Sequence, residues 1–162
     1  MRKFKRLIVG IATFCTLFSM ASVTNAAQTS TFYVSAGSYK YSSQTQKLDG
    51  KKWHYRYSVE LKSFKFDYIP QNAAPSSNAK LYFRLYRKSG SNRYSAGEYI
   101  SFGISGFTGK HLTKDEVIWK TIKNGSGKVA FTDGGKTGEY CLKTNSSYTS
   151  LGYGCTVDWW IQ

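Results

Sequence analysis

Trp53, Tyr55, Tyr57, Val59 and Leu61 alternate with His54, Arg56, Ser58, Glu60 and Lys62. This period of two restricts the fold more than any other feature of the chain, because it is what a strand with one buried face requires, while a helix spaces its apolar residues three or four apart. Leu81, Phe83 and Leu85 repeat it against Tyr82, Arg84, Tyr86 and Lys88. After Leu61 the phase slips, and Phe64, Phe66 and Tyr68 continue on even numbers. A one-residue slip would turn every later side chain to the opposite face, so a β-bulge or a corner is predicted over residues 62–64.

Turn chemistry divides the rest into short strands. Ser89-Gly90-Ser91-Asn92 and Asn124-Gly125-Ser126-Gly127 read as hairpin turns, and Asp133-Gly134-Gly135 as another reversal. The first predicts a return strand over residues 93–104, bent or bulged at Gly97 and Gly103. Both prolines, Pro70 and Pro75, fall within residues 67–78, which read as a loop. Thr113-Lys114-Asp115-Glu116 has the form of a capping box, but the β-branched run after it favours a strand behind at most one helical turn. Residues 129–131, 138–143 and 153–161 read as further strands. The expected fold class is all-β: a single antiparallel β-sandwich of about seven or eight strands, with a small β-barrel as the alternative.

The amino-terminal 26 residues read as an export signal to be cleaved. Arg2, Lys3, Lys5 and Arg6 precede an apolar run from Leu7 to Val23, and Thr24-Asn25-Ala26 supplies small residues for a peptidase. Residues 27–50 form a Ser/Thr/Gln-rich N-terminal segment, read as an edge strand at Phe32-Tyr33-Val34 and then a loop that could be partly mobile. Residues 51–162 are the sandwich domain. The expected location is secreted, extracellular. Cys15 sits inside the apolar run and reads as a small hydrophobe, which leaves Cys141 and Cys155 as an even pair in an oxidising compartment. A disulfide between them is expected, closing a loop whose chain entropy would contribute ~3 kcal/mol.

Charge narrows the partners. The chain has 23 Lys and Arg against nine Asp and Glu. The excess stays at about ten after the signal's four positive residues are removed, and a field of that sign favours anionic partners. His54 and His111 are the only histidines, and neither lies in a motif for nucleophilic or zinc chemistry. No metal site, no cofactor and no specific nucleic acid are expected. The reading is non-enzymatic: binding of an anionic or glycan polymer at a cell surface or in an extracellular matrix. The alternatives are an antimicrobial or toxin-like protein acting on anionic membranes, in which case a membrane surface is the partner, and a glycan hydrolase built on two carboxylates.

The candidate ligand-binding residues are Tyr82, Arg84, Tyr86 and Lys88, which project from one face of one strand, about 6.8 Å apart at two strand rises. Aromatic planes offer stacking surfaces and the cations between them hold carboxylate or phosphate. His54 and Arg56 would extend the stripe if their strand were its neighbour. Trp160, out of phase with Val157, Trp159 and Ile161, is an outlying candidate. The competing reading is of tyrosines that pair across strands as ordinary sheet stabilisers.

Overall fold

The computed structural model describes residues 26–54, 56–66, 69, 75–104, 116–121 and 136–162. Nine strands follow in chain order: β1 (Gln28–Val34), β2 (Tyr39–Leu48), β3 (Arg56–Phe66), β4 (Lys80–Ser89), β5 (Asn92–Ser95), β6 (Ile100–Gly103), β7 (Glu116–Thr121), β8 (Gly138–Ser146) and β9 (Tyr153–Ile161). They form two antiparallel sheets packed as a sandwich. Sheet 1 has the order β1-β9-β3-β7, and sheet 2 the order β2-β8-β4-β5 with β6 also paired to β4. Two separate strand orders with free edges exclude the closed barrel that was the alternative.

The period-two segments supply the core. Tyr57, Val59 and Leu61 of β3 face inward and, beyond an irregularity between Leu61 and Ser63, so do Phe64 and Phe66. The bulge expected at residues 62–64 is therefore present, and its effect is to keep both apolar runs on the buried face. Leu81, Phe83 and Leu85 meet them from β4, and Tyr153, Cys155, Val157, Trp159 and Ile161 from β9. Phe83 packs against Phe32 and Phe102, with ring centroids 6.2 and 5.8 Å away.

Polar groups buried between the sheets have partners that cross the sandwich. The Gln46 side chain of β2 donates to the Trp159 carbonyl (3.0 Å) and accepts from the Ile161 amide (3.0 Å). The Tyr57 hydroxyl of β3 donates to the carbonyls of Phe83 and Glu98 on the other side, while the Trp159 indole N–H is satisfied within sheet 1 by Ser30 Oγ (2.9 Å). Thr144 and Tyr153 share a hydroxyl pair at 3.0 Å. Such groups are costly when unpaired, so they fix the registration of one sheet on the other.

Several expectations change. Residues 39–48, read as loop from their polar composition, form β2, an edge strand that exposes its polar face. The strand expected over residues 93–104 is broken into β5 and β6, consistent with the bend anticipated at Gly97, while the turn before it closes on Gly90 at φ +59°. The expected disulfide is absent: Cys141 and Cys155 are both free. Cys155 points into the core from sheet 1 in phase with Tyr153 and Val157. Cys141 lies on β8, where Tyr140, Leu142 and Thr144 occupy the inner face, so its thiol is on the far side of sheet 2. Sheets stack ~10 Å apart, beyond the 4.4–6.8 Å Cα separation of a disulfide. Residues 1–25 of the export signal, most of the proline loop, His111, residues 113–115 of the capping box, the strand expected over 129–131 and the reversals at 124–127 and 133–135 lie outside the described residues, whereas Glu116 opens β7, where a strand was expected.

Candidate functional site: a tyrosine and cation face on sheet 2

Pairing registers place the outward side chains of sheet 2 in rows. Tyr41 lies opposite Lys143 and Lys143 opposite Arg84; Thr45 is opposite Cys141, then Tyr86 and Ser95. On either side are the rows Tyr39-Asn145-Tyr82-Ser101 and Lys47-Glu139-Lys88-Arg93. The three strands β2, β8 and β4 are neighbours, so this surface is ~10 Å wide from outer strand to outer strand. Tyr82, Arg84, Tyr86 and Lys88 form its β4 column, as the alternation predicted.

The rings and cations interlock. Tyr39 meets Tyr41, Tyr41 meets Tyr86, and Tyr82 meets Tyr99 edge to face, at 5.7, 5.3 and 5.7 Å between centroids. Lys143 Nζ stands 3.9 Å from the Tyr39 centroid and 5.5 Å from that of Tyr86. The Arg84 guanidinium lies 4.8 Å from Tyr99, and Arg93 reaches across to lie 4.5 Å from Tyr41. Geometry of this kind lets the ring quadrupole offset cation repulsion and holds long side chains in place. Arg84 is fixed further by a 2.7 Å bond from Nε to the Gly97 carbonyl, in the bend that separates β5 from β6. The glycine that weakens the return strand thus supplies an anchor for a surface cation.

Protonation keeps the face positive. Burial, reinforced by neighbouring tyrosines, raises the pKa values of Tyr41 and Tyr86 above the ordinary phenol value, so both rings stay neutral. Burial likewise pushes up the Cys141 thiol, roofed by this cluster, against the opposing pull of Arg93. Glu139 is the acidic residue of these rows: hydrogen bonds from Thr45 and then Lys88 lower its pKa, and Lys88 Nζ is 2.9 Å from its carboxylate. Lys88 is therefore largely neutralised by its neighbour. Arg84, Arg93 and Lys143 form no ion pair among the described residues.

Three sequence candidates lie elsewhere. Arg56 opens β3 in sheet 1, and His54 precedes it, so neither extends the stripe. Burial lowers the His54 pKa and favours the neutral imidazole. Trp160 is half-buried on the outer face of sheet 1, opposite Ser58. The face instead recruits Tyr39, Tyr41, Tyr99, Arg93 and Lys143. For β2 and β8 the signal was present as odd-number phase: Tyr39 and Tyr41 on one strand, Glu139, Cys141 and Lys143 on the other. Tyr99 gave no such signal, because it comes from the bend and not from a strand.

Comparison with known proteins found no matching family model and no matching curated protein. The chemistry of the face therefore carries the functional argument alone.

Proposed function

We propose that this protein is a secreted, non-enzymatic binding protein for an acidic glycan polymer of a cell wall or extracellular matrix, which it grips with the outer face of sheet 2. The observation that carries the reading is the ordered alternation of neutral tyrosine rings with Arg84, Arg93 and Lys143 across the four neighbouring strands β2, β8, β4 and β5. A polymer lying across these strands would find ring planes for the C–H faces of its sugars and cations for its carboxylates. Preordered cations and rings reduce the side-chain entropy lost on binding.

Charge of one sign also makes the interaction sensitive to ionic strength, since exposed charges are screened beyond ~10 Å at 0.1 M salt. The test is retention of the purified protein on immobilised polygalacturonate and on vesicles of anionic phospholipid, at low and high salt. The reading expects salt-sensitive retention on the polysaccharide and intact vesicles. Vesicle leakage without polysaccharide retention would replace it with the membrane-active alternative.

A further inference from the structure

The outer face of sheet 1 carries a second and different feature. Two rows cross β1, β9 and β3 there: Tyr33-Gly154-Lys65 and Thr31-Thr156-Ser63. Together they line a hollow of about 210 Å³. At its base Gly154 is buried, with the Lys65 stem and the Tyr33 ring packed over it: a Cβ there would stand 3.3 Å from Lys65 Cε and 3.5 Å from Tyr33 Cδ1. Its Lys65 wall exists because of the β3 bulge. Without the irregularity between Leu61 and Ser63, Lys65 would share the inward phase of Val59 and Leu61. Bulges that re-aim side chains are frequent beside functional sites.

We propose that this hollow is a binding site for one acidic hexose unit. Tyr33, 63% exposed, stands on the open side as a plane for the C–H face of a pyranose. The Thr31 and Thr156 hydroxyls, 3.1 Å apart, and the Ser63 hydroxyl can each donate and accept, as sugar hydroxyls require. Lys65 has no ion-pair partner among the described residues and supplies an ammonium for the sugar carboxylate. The volume lies below the ~300–1,000 Å³ of sites for drug-sized ligands, which fits one ring rather than a chain. The site shares no residue with the tyrosine face and does not depend on the function proposed for it.

The test is a ¹H–¹⁵N correlation titration of the protein with methyl glucuronide, methyl glucoside and inorganic phosphate, in wild type, Tyr33→Ala and Lys65→Gln. Methyl glucuronide is expected to shift the amides of Gly154, Thr156 and Lys65 saturably. Its binding should weaken about tenfold in Tyr33→Ala, as loss of one stacking surface implies, and fall to the level of the glucoside in Lys65→Gln. The response should persist in Arg84→Glu/Tyr86→Ala, which keeps it separable from the fate of the sheet 2 reading. Absence of saturable shifts with glucuronide, an equal response to phosphate, or an unchanged affinity in Tyr33→Ala would each overturn the assignment.

Discussion

Tyr41 of β2 and Tyr86 of β4 meet edge to face at 5.3 Å across the strand that separates their own, with Cys141 of that strand beneath them. Their contact joins the two outer columns of the tyrosine face into one surface. Aromatic pairs in this geometry contribute ~0.5–1.5 kcal/mol beyond their area. A double-mutant cycle of Tyr41→Leu and Tyr86→Leu, read by urea unfolding, should show a coupling of that size. Strict additivity would mean that the rings are independent.

Gln46 should be among the most sensitive polar positions. Its amide serves the backbone of Trp159 and of Ile161 across the sandwich, with the side chain almost fully buried. Gln46→Leu leaves both backbone groups without their partner and is expected to cost ~1–3 kcal/mol in urea unfolding. The exposed neighbour Lys47 provides the comparison: Lys47→Leu should stay within ~0.5 kcal/mol.

The free thiols have a direct consequence. Protein from residue 27 onward, unfolded without reductant, should titrate two thiols, and reductant should leave the thermal midpoint of the folded protein unchanged. A disulfide of the expected loop length would instead contribute ~3 kcal/mol and lower the midpoint by several degrees on reduction.

Alkaline pH should destabilise the fold. Burial raises the pKa values of Tyr57, Tyr153 and Cys155 in the folded state. Their contribution is fully present below the unfolded-state values of about 8.5 for cysteine and about 10 for tyrosine. It is lost as the pH rises above these toward the folded-state values, because the unfolded chain releases its protons first. Urea midpoints should be flat just above the ordinary histidine range and fall above about pH 9, each group adding a slope of up to ~1.4 kcal/mol per unit. Tyr57→Phe should be less stable at neutral pH, through loss of its bonds to the Phe83 and Glu98 carbonyls, yet show a shallower alkaline decline.

What could be read from the residues follows from strand phase. The alternation from Tyr57 to Leu61, its slip before Phe64, and Leu81 to Leu85 foretold the inner faces of β3 and β4 and the bulge within β3. The same logic applied to β8 and β9 would have separated the cysteines, since Cys141 shares phase with Glu139 and Lys143 whereas Cys155 shares phase with Val157 and Trp159. Compartment chemistry favoured a pair that side-chain direction forbids. Which strands become neighbours was not legible: β3 and β4, close in the chain, fall in different sheets, while β2 joins the site through β8. Hence the condition under which His54 and Arg56 would extend the stripe, that β3 and β4 be neighbours, fails, and Tyr39 and Tyr41 enter it through β8.

If the sheet 2 cations that lack an ion pair among the described residues hold an acidic polymer, reversing two of them in Arg84→Glu/Lys143→Glu removes the main grip on it. Retention on immobilised polygalacturonate at low ionic strength should fall to the weak level that the sheet 1 hollow alone holds, while the thermal midpoint stays close to that of the wild type and Lys65→Glu on sheet 1 leaves most of the retention intact. A folded double variant that elutes at the same salt concentration as the wild type would contradict the account.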